Sequence, residues 1–244
     1  MGTELIYTID QHNKMLSQFT PATRSFLDLG ALTCPAQAGA TPFSMSVDRA
    51  GNAWVLYTSG ELFTVPITAV WSCTKSAWAS PNGLKVFGMG FSTDTAGGST
   101  EKLYIGGGAS QTASSFTIAA VDTTTMTATV LGTQPVLPEM TGTGGAELWG
   151  FMPNGSGAKV VKFDKTTAQV SKLYDEPTLA SDGAGYAFAH WGGSFWVFLQ
   201  KMTETHTTVY EVDGQTGQIK STTPAAGRTI VGAGVSTCAP TVIL

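Results

Sequence analysis

Glu139 and Arg228 are the first candidates for a functional site, because charged side chains make up only 12% of this 244-residue chain. A carboxylate and a guanidinium that face one space can bind a ligand through charge and hydrogen bonds. The same groups can also form a structural ion pair between neighbouring elements, since pairing is the usual way to bury charge. Both interpretations remain open from the sequence.

The histidines are the next candidates. His190 lies between Ala189 and Trp191, where an imidazole could act as a general base or a metal ligand. A lone histidine in an apolar strand is more often a hydrogen-bonded core residue. His12 and His206 could share a metal from two loops, but no cysteine or carboxylate-rich partner accompanies them. We therefore predict no metal site and no cofactor.

Two aspartates could form a pair for acid–base chemistry, Asp48 and Asp94. Asp48 is better explained as a turn residue, because it begins the polar segment that ends at Asn52. The chain contains no Gly-x-Ser-x-Gly elbow, phosphate-binding loop or His-Glu-x-x-His motif. Catalytic residues therefore stay unassigned, and whether the protein is an enzyme is left open.

The three cysteines, Cys34, Cys73 and Cys238, lack the spacing of metal ligands. An odd number permits at most one internal disulfide, and an extracellular origin would favour one. Cys34 could pair with Cys73 or with Cys238, and three buried thiols are the remaining alternative.

Composition narrows the class of protein. A low charge content with 29 glycines is typical of all-β proteins and not of helical bundles. The net charge is −4 and no basic cluster occurs, so we expect no nucleic-acid partner. No apolar run approaches the ~18 residues of a membrane span. Met1-Gly2 leads directly into a strand-like segment, which we interpret as a start placed on a trimmed domain without its export signal.

The elements that must position these residues follow from the stretch 42–57. Phe43, Met45 and Val47 alternate with serines, as a strand requires. Residues 48–52 form a polar turn, and Trp54 opens a bulky second strand.

Three patterns from this stretch recur along the chain. The apolar triplet of the second strand occurs five times, at steps of 49, 49, 45 and 47 residues, as Leu5-Ile6-Tyr7, Trp54-Val55-Leu56, Leu103-Tyr104-Ile105, Leu148-Trp149-Gly150 and Phe195-Trp196-Val197. A turn of the form Val-Asp-x-x-Thr recurs at Val121, Phe163 and Val212, with degenerate copies at Phe19 and Val65. The first strand recurs at 87–91, 140–144, 187–191 and 231–235. Small residues in these copies suit strands that approach closely around an axis.

Five repeats predict an all-β, five-bladed β-propeller with one four-stranded antiparallel sheet per blade. One blade is expected to be split, with its first strand at 229–237 and its other three at 5–10, 15–19 and 25–29. This sharing closes the ring and removes free sheet edges. The outer strand of the next blade is expected at 70–78. We predict a single domain over 1–244, with a β-sandwich as the alternative fold.

The segments 42–55, 87–91, 187–193 and 230–240 together resemble a group of uncharacterised secreted or lipoprotein-like propellers from myxobacteria and their relatives. The resemblance covers most of the chain, and the segment Ile230-Val231-Gly232-Ala233-Gly234-Val235-Ser236-Thr237-Cys238-Ala239-Pro240 is its most distinctive part. It implies a five-bladed propeller exported to the cell envelope, and it implies no activity.

Ligands of propellers usually bind at the mouth of the central axis, where the chain enters the first strands. The ligand-binding candidates there and on the first strands are Phe43, Phe87, Glu139, Tyr186, His190 and Arg228. The tryptophans are expected to pack between blades, namely Trp71, Trp78, Trp149, Trp191 and Trp196.

Three functions remain open from the sequence. The leading hypothesis is an exported, monomeric binding module that recognises a small molecule, glycan or peptide at the axial mouth. The alternative is a hydrolase or lyase that uses Glu139, His190 or a bound metal at the same place. A purely structural domain would instead have this mouth plugged by Phe43, Phe87 and Tyr186.

Overall fold

The computed structural model describes residues 5–180, 183–225 and 227–243. In chain order its strands are β1 (Ile6–Asp10), β2 (Met15–Thr20), β3 (Ser25–Ala31), β4 (Pro42–Val47), β5 (Asn52–Tyr57), β6 (Leu62–Pro66), β7 (Thr74–Lys75), β8 (Val86–Thr93), β9 (Glu101–Gly108), β10 (Phe116–Asp122), β11 (Thr127–Gln134), β12 (Glu139–Gly142), β13 (Leu148–Met152), β14 (Ala158–Phe163), β15 (Val170–Glu176), β16 (Gly185–Trp191), β17 (Ser194–Gln200), β18 (Thr208–Asp213), β19 (Ile219–Pro224) and β20 (Ile230–Gly234). Two short 3-10 helices cover Pro81–Gly83 and Pro177–Leu179.

These strands form five antiparallel sheets of four strands each, which confirms the predicted propeller. The sheets are β20-β1-β2-β3, β4 to β7, β8 to β11, β12 to β15 and β16 to β19. We call them blades 1 to 5 in that order. The inner strands β20, β4, β8, β12 and β16 contact one another in sequence around the axis.

The predicted ring closure is confirmed in blade 1. Strand β20 pairs antiparallel with β1, with Tyr7 opposite Gly234 and Ile9 opposite Gly232. The last strand of the chain therefore completes the sheet that the first strand begins, and the inner edge of that sheet is covered by its neighbours in the ring.

Glycine on the inner strands permits their close approach. A Cβ atom on Gly90 would lie 2.7 Å from the Cα of Thr141 in the next blade. A Cβ atom on Gly234 would lie 2.7 Å from the backbone of Ser46. Because real Cβ atoms do not approach so closely, these contacts explain the small residues seen in the first-strand repeats.

Aromatic side chains fill the spaces between blades. The rings of Trp78 and Phe87 lie 5.3 Å apart, and those of Trp149 and Phe195 lie 4.7 Å apart. Trp196 packs on Phe19 across the closure of the ring. Each such pair contributes about 0.5–1.5 kcal/mol beyond the area it buries. The half-buried Trp191 packs against the edge of the same cluster.

The packing prediction is wrong for Trp71, which is 71% exposed. The predicted outer strand at 70–78 is likewise reduced to β7, which has two residues. Val70 leaves the strand path to pack between blades 1 and 2, in a space that Gly30 leaves open. This detour turns Trp71 outward.

A disulfide joins the same region to blade 1. Cys34 and Cys73 are bonded, with their Cα atoms 5.0 Å apart. The structure therefore selects one of the two predicted pairings. Within the described chain Cys238 has a free, exposed thiol.

The repeated aspartate turns are held by side-chain hydrogen bonds. The carboxylate of Asp164 accepts the hydroxyl of Thr166 and the backbone N–H groups of Thr166 and Thr167, and these bonds lower its pKa to about 2. Asp48 accepts from the backbone of Asn52 and from the indole N–H of Trp54, which supports its predicted turn role. No helix in the described residues has the length and apolarity needed to cross a membrane.

Candidate functional site

The inner strands all run in the same direction along the axis. Contacts between neighbouring inner strands join the first residues of one strand to the first residues of the next, and the last residues to the last. The strands begin at one end, the mouth end, and finish at the other, the far end. A cavity of about 50 Å³ lies at the mouth end, and we call it the axial cavity. Its lining residues are Gln11, Phe43, Gln111, Glu139, Gly183, Ala184, Gly185, Tyr186 and Val231.

Glu139 is the central polar group of the axial cavity. It is the first residue of β12, and only 3% of its surface is exposed. Its carboxyl reaches the hydroxyl of Ser44 on β4, which donates a hydrogen bond of 2.5 Å from two blades away. The backbone N–H of Met89 also donates to it. Strands from three blades therefore fix this carboxyl at the axis.

Gly88 makes room for this arrangement. A Cβ atom on Gly88 would lie 2.7 Å from Oε2 of Glu139 and 2.2 Å from the backbone oxygen of Pro138. A side chain at this position would displace the carboxyl. The absence of a side chain at Gly88 in blade 3 therefore leaves room at the axis for the carboxyl of Glu139 from blade 4.

Burial controls the charge of the site. Loss of solvent raises the pKa of Glu139 well above its usual range, although the hydrogen bonds from Ser44 and Met89 oppose the change. Burial therefore favours the uncharged, protonated form of Glu139 over the carboxylate. Burial also raises the pKa of Tyr186, and the neighbouring Glu139 adds to this effect.

A larger groove of about 280 Å³ adjoins the axial cavity, and we call it the side groove. It lies over blades 3 and 4 and shares Gln111, Gly183 and Tyr186 with the cavity. Its other lining residues are Ala113, Phe116, Pro135, Val136, Leu137, Pro153 and Asn154. The shared residues make the two spaces neighbours at a single mouth.

The far end of the axis is tied together by hydrogen bonds. Glu101 accepts the backbone N–H of Arg49 at 2.7 Å and the hydroxyl of Thr237 at 2.5 Å. The guanidinium of Arg49 also donates to Thr237 at 3.1 Å. Lys165 donates to the backbone oxygen of Thr93 at 2.6 Å. These contacts join loops from blades 2, 3 and 4 to the segment after β20.

The structure brings three of the six predicted ligand-binding residues to the axial cavity, Phe43, Glu139 and Tyr186. Phe87 does not line it, because its ring is fully buried against Trp78.

Arg228 pairs with Asp28 and not with Glu139, so the ion pair between Arg228 and Glu139, one of the two interpretations that the sequence left open, does not form. Its guanidinium lies 2.9 Å from the carboxylate of Asp28 and stacks 4.9 Å from the ring of Phe26. The split blade explains this outcome, since it places the carboxylate of Asp28 on β3 beside Arg228.

His190 lies too far along β16 to act with Glu139. Four residues separate it from Tyr186, which corresponds to about 13 Å along a strand. The ring is buried against Phe195, and burial lowers its pKa to about 4. A neutral, buried imidazole fits the core interpretation of this histidine. Within the described residues, no group of three or more His, Cys, Asp or Glu is placed to hold a metal ion.

The sequence did not single out the two glutamines of the axial cavity, Gln11 and Gln111. Gln11 follows β1 in a turn whose position at the mouth depends on the ring closure. Gln111 lies in a loop of serine, threonine and glycine with no motif. The position of Gln11 could have been inferred from the split blade, whereas Gln111 carried no signal.

Comparison with known proteins supports the fold. No protein-family model and no curated protein matches the sequence. A luciferin-regenerating enzyme is similar in structure, with 10% identity, a TM-score of 0.54, and coverage of 94% of this chain and 75% of that one. Regucalcin, a calcium-binding protein from Agrobacterium tumefaciens str. C58, is similar with 13% identity, a TM-score of 0.52, and coverage of 96% and 75%. At these identities the likeness shows that this chain has a propeller fold.

Proposed function

We propose that this protein is a binding module whose ligand occupies the axial cavity and the side groove. A single observation carries the proposal: Glu139 is a buried acid that faces a cavity at the axis without a basic partner among the described lining residues. Buried ionisable groups are normally paired with an opposite charge, and a buried acid with a shifted pKa beside a cavity is a candidate functional site. The fold is compatible, since propeller-shaped neighbours include an enzyme and a binding protein.

The size of the axial cavity favours a small molecule over a glycan. One water molecule needs about 10–15 Å³ of such a space, so a cavity of about 50 Å³ admits a small head group and not a sugar ring. The side groove is several times larger and can hold the rest of a ligand. We therefore favour a small molecule among the three ligand classes that the sequence left open.

A blocked mouth tests this proposal. Gln11→Trp places a bulky ring at the rim of the axial cavity, while Gln215→Trp adds the same ring to an exposed turn at the far end. A screen of small molecules by NMR on the unmodified protein should yield ligands that Gln11→Trp binds about tenfold more weakly or worse. The Gln215→Trp protein should bind them normally. Ligands that are insensitive to Gln11→Trp would place the site elsewhere.

A hydrolase or lyase is the second candidate function. The observation in its favour is that burial raises the pKa of Glu139, which favours the protonated state that a general acid requires. Incubation of the screened ligands with the protein, followed by mass spectrometry, separates the two functions. An enzyme would convert a ligand and lose turnover in Glu139→Gln while still binding it. Calcium belongs in the same screen, because it is the ligand named for regucalcin.

We also propose that the protein works outside the cytoplasm, in the cell envelope or beyond. The Cys34–Cys73 disulfide supports this, because such bonds persist in oxidising compartments. Thiol counting on protein taken directly from its native cells tests the proposal. One reactive thiol per chain, from Cys238, is expected, and three would contradict it.

A further inference from the structure

The described residues that line the mouth end include an acidic side chain but no basic one. Neither the axial cavity nor the side groove has a lysine, arginine or histidine among its described lining residues. Among the residues that the structure describes, Glu139 is the one carboxyl that lines either space. A ligand that carried a carboxylate or phosphate would therefore meet no opposite charge and would face a buried acid.

The axial cavity is suited to a cationic head group. Glu139 can become a carboxylate when a cation approaches, since an opposite charge within about 4–6 Å favours the ionised form. The side chains of Gln11 and Gln111 supply carbonyl oxygens that accept hydrogen bonds from an ammonium group. The rings of Phe43 and Tyr186 line the same space, and aromatic faces attract cations.

The side groove offers apolar contacts over part of its lining. Phe116, Val136 and Leu137 line it with Pro135 and Pro153, beside the polar residues Gln111, Asn154 and Tyr186. The groove meets the axial cavity at Tyr186. A molecule that spans both spaces thus has a polar end at the axis and an apolar end over blades 3 and 4.

We propose that the ligand is a small amphipathic primary amine, with its ammonium group beside Glu139 and its hydrocarbon body in the side groove. This inference rests on the proposed binding function and deepens it. On binding, Glu139 releases its proton to solvent and the ammonium keeps its own three, so an ion pair with one net proton released forms inside the cavity. The body adds affinity by removing apolar surface from water.

Three six-carbon probes test the class of ligand, namely hexylamine, hexanol and hexanoate. Each is titrated calorimetrically into the intact protein. Hexylamine should bind most tightly, and its affinity should rise with pH as Glu139 ionises more easily. Butylamine should bind more weakly than hexylamine, because each additional buried CH₂ contributes to affinity. Hexanol should show no such dependence on pH, and hexanoate should bind least.

Two variants at one exposed position provide the matched control. Gln111→Lys places a cation at the junction of the two spaces, and Gln111→Met has a similar length without the charge. Gln111→Lys should weaken hexylamine by about tenfold or more and should improve hexanoate. Gln111→Met removes one acceptor without adding a charge, so it should weaken hexylamine clearly less than Gln111→Lys does and should not improve hexanoate. Glu139→Gln should weaken hexylamine by about 30-fold and leave hexanol nearly unchanged.

The outcomes separate this inference from the proposed function. If hexanol or hexanoate bound as tightly as hexylamine and lost affinity in Gln11→Trp, the mouth would still be a binding site but the amine assignment would be overturned. If hexylamine bound equally well to Gln111→Lys, the assignment would also fall. If none of the three probes bound at any pH, the amine class would be rejected, while the broader screen would still decide the binding function.

Discussion

The two ends of the axis are formed by the same five inner strands, yet they treat buried acids differently. At the far end Glu101 accepts hydrogen bonds from Arg49 and Thr237, and a guanidinium lies within the same network. At the mouth end Glu139 has hydrogen-bond donors but no basic neighbour among the described residues that line its cavity. At the far end the carboxylate of Glu101 joins neighbouring loops through hydrogen bonds. At the mouth end the carboxyl of Glu139 lines a cavity where a ligand could bind.

This difference shows how one scaffold separates stability from binding. A polar network whose members are all hydrogen-bonded fixes structure, whereas a buried acid without a basic partner can gain from a cationic ligand. Substitutions at the two ends should therefore have opposite signatures. Those at the far end should lower the free energy of unfolding, and those at the mouth end should change binding and the response to pH.

The largest effect is expected from Glu139→Gln in alkaline solution. The pKa of Glu139 is raised on folding, so the folded state binds more protons than the unfolded state above the unfolded pKa. The free energy of unfolding should then fall with rising pH, by up to about 1.4 kcal/mol per pH unit, until Glu139 ionises in the folded protein. Glu139→Gln should reduce this slope in urea titrations from pH 5 to 9, and the slope left below about pH 7 is expected from Glu176, whose pKa burial raises to about 7. An unchanged slope, compared with the exposed-site control Asp175→Asn, would show that the acid at the mouth is already ionised.

His190 should produce the opposite response to pH. Its pKa is lowered to about 4 by burial, so the unfolded state binds more protons between about pH 6.5 and 4. Stability should be lost as pH falls through this window, by roughly 3 kcal/mol in total. His190→Gln should flatten the acid limb of the stability profile whatever it does at pH 7. If the acid limb persisted in His190→Gln, the loss of stability at low pH would come from other titratable groups.

Glu101→Ala tests the network at the far end. It leaves the backbone N–H of Arg49 and the hydroxyl of Thr237 without their acceptor, which should lower the free energy of unfolding by about 2 kcal/mol. Urea denaturation at pH 7 measures this loss. Asp175→Ala removes a surface ion pair with Lys159 and should cost less than about 0.5 kcal/mol. Equal losses in the two variants would remove the distinction between the ends.

The smallest effect is expected at Arg228. Arg228→Met removes the ion pair with Asp28 and the stacking on Phe26, and it should lower the free energy of unfolding by about 0.5–1 kcal/mol. Ligand binding at the axial cavity should stay within about twofold, because Arg228 pairs away from it. If Arg228→Met lost binding and Asp28→Asn did not, Arg228 would contribute to ligand binding at the mouth, as the sequence suggested.

Much of the fold could be predicted because repetition is a one-dimensional signal. The recurring apolar triplets and glycine-containing first strands specified the number of blades and the pairing of β20 with β1. The outer strand of blade 2 could not be predicted as well. Whether Val70 continues a strand or packs inward depends on the space left by Gly30, which is 40 residues away in sequence.

The candidate site could be predicted only in part. Phe43, Glu139 and Tyr186 were found because each opens or nearly opens an inner strand, so the repeat alone puts them at the mouth. Phe87 holds the same repeat position, yet its ring turns toward Trp78 in the core. Arg228 was misassigned because its partner belongs to β3, at the other end of the chain.

The sequence by itself determined five sheets, their order and the closure of the ring, since periodic apolar and small residues act through local strand geometry. Only the tertiary structure decided that Ser44 would reach Glu139 from two blades away, that Gln111 would join the cavity to a groove, and that Cys34 would bond to Cys73. These contacts join residues that are far apart in the sequence. Such residues come close together only when the chain has folded and the ring has closed.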